Sequence, residues 1–144
     1  MKKFFRVIIV LLLALFVIFF SVKSEKNAKI NYNLTTPEDV VKSYFLALNN
    51  KDKKILNSVT DKNSAAFDYK NLRSIKLISI KEDPSTSYYD SDKYYNVKGY
   101  EVIYKIKMKF GKDFFDQNGK NKETIIITKN TEYSNWIIRE IGEG

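Results

Sequence analysis

The sequence predicts an α+β domain carried behind an apolar N-terminal segment. Three observations lead there. Residues 36–50 repeat apolar side chains at the 3.6-residue period of a helix, residues 72–141 change to the two-residue period of strands, and Val7 to Phe20 contain no polar side chain. Helices followed by an antiparallel meander is the order of an α+β domain with its helices laid on one face of a sheet.

Taken in order, Phe4 to Val22 are nineteen residues, which as a helix cover about 28 Å, close to the thickness of a hydrocarbon core. Lys2 and Lys3 precede the segment with Arg6 near its start, and Lys23, Lys26 and Lys29 follow it, so the two sides nearly balance. A cleavage site of the Ala-x-Ala kind is missing, and without cysteine there is no lipoprotein acylation site. Residues 1–23 are therefore expected to be an uncleaved signal anchor, a single-pass transmembrane helix with the C-terminal domain extracytoplasmic. The alternative is secretion after signal cleavage. Residues 24–34 read as a solvated stalk and residues 35–144 as the folded domain.

Thr36 is placed to cap a first helix, with Pro37 at its first position and Glu38 and Asp39 facing the positive end of its dipole. Val40, Val41, Tyr44, Phe45 and Leu48 give that helix one apolar face through Asn49 and Asn50. Asp52 can cap a shorter second helix bearing Ile55, Leu56 and Val59, and Ala65 to Phe67 can add a further turn. From Leu72 the period changes to two, with Ile75, Leu77 and Ile78 to Ile80 in a β-rich run ending at Lys81-Glu82-Asp83-Pro84, and Pro84 to Asn96, with four tyrosines, reads as a long loop or ragged hairpin. The clearest strand alternates Tyr100, Val102, Tyr104, Ile106, Met108 and Phe110 with Glu101, Ile103, Lys105, Lys107 and Lys109. Asn118-Gly119 signals a reversal, Glu123 to Lys129 a third strand, and Asn135 to Ile141 around Trp136 a fourth.

The formal charge of +8 is unevenly placed. Residues 1–29 carry six Lys/Arg against Glu25, whereas residues 30–144 carry nineteen against sixteen acids. A domain this close to neutral does not read as nucleic-acid binding. With no Cys and no His, disulfides, thiolate metal sites and Ser-His-Asp or Cys-His catalysis are excluded. Asp90, Ser91, Asp92 and Glu101 mimic calcium-loop spacing, but the position that needs glycine is Tyr95, so a solvated turn is expected and no metal site. Asp116 to Gly119 is ordinary turn chemistry.

The opening run from Thr36 to Asp52, the short second helix and the closing Asn135-Trp-Ile-Ile-Arg-Glu-Ile-Gly resemble the nuclear-transport-factor-2-like superfamily of cone-shaped domains. Within it, Asn71 to Asp83 is similar to the Gram-positive domain of unknown function 4829. The resemblance covers about residues 35–144. It implies two to three helices on a curved antiparallel sheet of about four strands, outside the cytoplasm, and carries no catalytic residues with it.

Superfamily enzymes use a carboxylate and hydroxyl donors inside the cone. Tyr100 and Tyr104 with Asp68 or Glu140 are the residues to test against that pattern, although Glu101 has the opposite parity and no acid is expected to share the Tyr100/Tyr104 face. The expectation is that the protein is not an enzyme, with no catalytic residues and no cofactor. Tyr88, Tyr89, Tyr94 and Tyr95 form a candidate recognition cluster, since tyrosine brings large contact area with little rotamer entropy. Lys105, Lys107 and Lys109 form a basic stripe that fits anionic lipid or a wall polymer, or else is a plain wet face or a strand edge guarded against pairing. The function expected is a membrane-anchored extracytoplasmic binding domain, attached through residues 4–22, that recognises a protein partner or small ligand. A structural subunit of a bacterial envelope or conjugation complex, forming a homo-oligomer or a larger assembly, is the alternative.

Overall fold

The computed structural model describes residues 30–61, 71–90, 92–109 and 118–142. The anchor expected at residues 1–23, most of the stalk, the helical turn at Ala65 to Phe67 and the strand end at Phe110 lie outside them. Among the described residues no helix is long and apolar enough to cross a membrane.

Among the described residues, two α-helices lie on one face of a four-stranded antiparallel sheet. Helix α1 (Pro37–Asn50) begins where Thr36 accepts a hydrogen bond from the Asp39 amide at 3.1 Å, with Pro37 in the first turn, as its sequence predicts. It ends at Lys51, whose φ of 58° is left-handed, and the Asp52 amide returns to the Ala47 carbonyl at 2.9 Å. Asp52 then caps α2 (Lys53–Val59) by accepting from the Lys54 and Ile55 amides at 3.1 and 3.2 Å.

The strands are β1 (Leu72–Glu82), β2 (Asn96–Met108), β3 (Gly119–Lys129) and β4 (Ile137–Gly142), neighbours in space in the order of the chain. The register pairs Ile106 with Ile75, Tyr104 with Leu77, and Tyr100 with Ile125. That assignment turns the even-numbered residues of β2 toward the helices. Val40, Val41, Tyr44, Phe45 and Leu48 of α1 meet Val102, Tyr104, Ile106, Ile125 and Ile127 in a single core. Tyr104 packs against Phe45 with ring centres 5.2 Å apart, and Phe45 meets Tyr44 edge-on at 5.5 Å. Asn49 extends from the end of α1 and accepts from the Ile75 amide at 3.1 Å, fastening the helix to edge strand β1.

Several expectations change in detail. Trp136 precedes β4 rather than lying within it, and is half-buried against the core beside Lys129. The reversal signalled by Asn118-Gly119 lies between antiparallel β2 and β3, with β2 ending ten residues before Asn118. Asn118 accepts from the Met108 amide at 2.8 Å, and Gly119 opens β3 at a φ of 115°, where a side chain would be strained. Pro84–Tyr88, expected as irregular loop, is a short 3-10 helix capped by Asp83, which accepts from the Ser85 amide at 3.0 Å.

Candidate functional site

The two residue clusters singled out from the sequence both fall on the outer sheet face, away from the helices. The tyrosine segment is pinned there. Gly99 of β2 points its hydrogen at Thr86, so closely that a β-carbon built on it would lie 2.4 Å from Thr86 Cβ. The Asp83 amide donates to the Gly99 carbonyl at 2.8 Å, and Thr86 Oγ1 donates to the Asp83 carbonyl at 2.6 Å.

Two of the four rings serve as fasteners. Tyr89 reaches the Glu140 carboxylate, and burial together with that contact raises its hydroxyl above the ordinary tyrosine range. Tyr94 lies under the Arg139 guanidinium, 5.2 Å from the ring centre. The other two rings stand free of the fold, Tyr88 at 86% exposure and Tyr95 at 60%. Alternating roles within one segment explain why four similar residues cannot be treated as one surface.

Arg139, to which the sequence drew no attention, ties several elements together. Its guanidinium pairs with Asp61 after α2, Nε donates to Thr128 Oγ1 at 3.1 Å, and Nη2 donates to Asn130 Oδ1 at 3.1 Å. The Asp61 amide also donates to the Ile138 carbonyl at 2.9 Å. No local pattern signals such a residue, because its partners come from three separate stretches of chain.

The lysines are placed differently from the edge arrangement considered above. Lys105 and Lys107 belong to β2, an interior strand with neighbours on both sides, so guarding a sheet edge is not their role. Directly across β1 from Lys105 is Lys76, and directly across β3 is Lys120. All three side chains are exposed, and like charges directly opposite one another are unfavourable. Lys109 lies just past β2, with its amide donating to the Asn71 carbonyl at 2.7 Å.

The acids considered for catalysis do not assemble with Tyr100 and Tyr104. Glu140 stands opposite Ile126 on the outer face beside Tyr89, and Asp68 lies outside the described residues. An acid from another strand does share their face, which corrects the expectation drawn from β2 alone. Glu123 pairs with Val102, and its carboxylate faces the Tyr44 and Tyr104 hydroxyls, with a side-chain hydrogen bond to Tyr104. Counting back by twos from the buried Ile125 and Ile127 would have found it. Burial, followed by this carboxylate, pushes both hydroxyls far up. Tyr100 is pushed up to about 12, chiefly by burial and then by Glu82 and Glu38.

The calcium-like spacing is also dispersed. Glu101 is committed to β2 and pairs with Lys122 at 2.7 Å, while the Asp90 carboxylate faces Lys93 at 3.9 Å. Among the described residues no group of three acids is placed to hold a metal ion. Asp116 lies outside them.

Residues 38–142 match the family described as Domain of unknown function (DUF4829). The chain belongs to this family. No curated protein and no solved structure matches the chain significantly. Within this DUF4829 domain, the matched span runs from the first turn of α1 to the end of β4, so every cluster described above lies inside it.

Proposed function

We propose that the protein is a non-enzymatic, membrane-anchored binding domain that captures a protein partner outside the cytoplasm through Tyr88 and Tyr95. The observation that carries the reading is the division of labour in the tyrosine segment. Tyr89 and Tyr94 hold the segment on the sheet, and Tyr88 and Tyr95 expose broad amphipathic rings on a backbone already fixed. Preorganised aromatic side chains lose little entropy on binding and are frequent interface anchors. The apolar run from Phe4 to Val22 supports attachment to a membrane as a single span, with residues 24–34 as stalk and 35–144 as the domain. Helices on one face of an antiparallel meander support assignment to the nuclear-transport-factor-2-like cone architecture.

A photo-crosslinking side chain placed at 88 or 95 in the full chain tests this in cells, with Tyr133 as control because it is 91% exposed on an unrelated turn. A crosslinked species obtained from 88 and 95 but not from 133 is the expected result. Tyr88→Ala and Tyr95→Ala should abolish that species while changing stability by less than about 0.5 kcal/mol, as exposed positions do. Crosslinks indifferent to the position of the probe, or absent from 88 and 95, would overturn the reading.

A further inference from the structure

We propose that the lysine-bearing half of the outer sheet face docks flat on an anionic phospholipid surface. The inference adds a second contact to the anchored domain proposed above, and rests on that reading only for how the domain is brought near a bilayer.

The row Lys76, Lys105 and Lys120 crosses three adjacent strands, and Lys107 and Lys122 extend it along β2 and β3. Lys81 stands on β1 opposite Glu101, whose carboxylate is already paired with Lys122. Lys76, Lys105, Lys107 and Lys120 make no ion pair with any described residue. Folding alone would not align like charges across neighbouring strands, since each such pair opposes the sheet. A phosphate-rich plane supplies the missing counter-charge to all of them at once.

The apolar residues of this region favour lipid over another polyanion. Ile78 is the extra residue of a β-bulge between Leu77 and Ser79 and stands 52% exposed, while Ile103, paired with Ser79 and Lys122, is only partly covered. Cations that reach head groups beside apolar side chains that enter the acyl boundary are the pattern of interfacial attachment. Nucleic acid or a soluble phosphate polymer offers Ile78 no such environment.

The chain has no cysteine, so Ser79→Cys places one environment-sensitive fluorophore on this face. The full chain is reconstituted with vesicles of phosphatidylcholine alone or of phosphatidylcholine mixed with phosphatidylglycerol. Emission should shift to the blue only with phosphatidylglycerol and revert as salt shortens the Debye length toward about 3 Å near 1 M. Lys105→Gln and Lys120→Gln should each weaken the docked state about fivefold, the equivalent of roughly 1 kcal/mol per lysine at an anionic surface. Equal emission in the two vesicle types, or a shift that ignores both substitutions, overturns the proposal. So does a shift produced by soluble polyphosphate and not by vesicles. Flotation with pure phosphatidylcholine vesicles reports the anchor separately. If the chain fails to float there yet floats with phosphatidylglycerol in a lysine-dependent way, the anchor is refuted and the docking face stands.

Discussion

Replacing Gly99 by alanine should unseat the tyrosine segment without touching a tyrosine. A β-carbon at this position would lie 1.9 Å from Thr86 Oγ1 and 2.4 Å from both Cβ and Cγ2. Rotating the Thr86 side chain cannot relieve the contact, because Thr86 Cβ is fixed by its own backbone, so the Pro84–Tyr88 helix has to lift from the strand. Overpacking of this kind costs about 1–3 kcal/mol. Alanine also narrows the unfolded ensemble, which offsets about 0.4–1 kcal/mol, so the midpoints of the two ranges leave a net loss of about 1.3 kcal/mol. Thr86→Gly removes the obstructing atoms, so in that background Gly99→Ala should be neutral or slightly stabilising. A double-mutant cycle by urea unfolding can use Trp136, the single tryptophan, as its probe. Gly99→Ala within about 0.5 kcal/mol of wild type, or no rescue by Thr86→Gly, would refute the close seating of the segment on β2.

Two further outcomes follow from the same structure. Arg139→Ala leaves Asp61 without its guanidinium partner, and because both side chains are less than a third exposed the loss should fall between that of surface and buried pairs, about 2–3 kcal/mol by urea midpoint. Raising the pH should unfold the domain from about pH 10 upward: Tyr44, Tyr100 and Tyr104 have raised folded-state pKa values, so the unfolded chain releases these protons first and stability, full below pH 10, falls through the window above it. Each contributes a slope of about 1.4 kcal/mol per pH unit there, and Tyr104→Phe should remove one such increment, with an unchanged slope counting against burial of that hydroxyl.

Much of the fold was legible because its signals are local. Thr36 and Asp52 cap helices through bonds spanning two or three residues, and the alternation along β2 reports its two environments directly. The tyrosine segment was only half legible. Its composition marks a recognition candidate, but which rings are fasteners depends on Glu140 and Arg139, roughly fifty residues away in the chain. The lysine stripe was visible on β2, whereas its meaning required Lys76 and Lys120, which only strand order and register bring alongside. Glu123 is hidden for the same reason, since only the pairing of β3 with β2 brings it beside Tyr104.

Register also accounts for why the polar group that most resembles a catalytic site is not the one proposed to act. Glu123 hydrogen-bonds the Tyr104 hydroxyl and faces that of Tyr44 where helix meets sheet, so packing accounts for their positions. The outer face holds two exposed rings and an aligned set, Lys76, Lys105 and Lys120, that makes no ion pair with any described residue. These two faces are inseparable on β2, because slipping its pairing by one residue would bury Glu101, Lys105 and Lys107 and expel Tyr100, Tyr104 and Ile106. The core therefore enforces the orientation of the lysines against their mutual repulsion. A substitution such as Lys105→Gln changes what the face can meet and leaves intact the register that displays it.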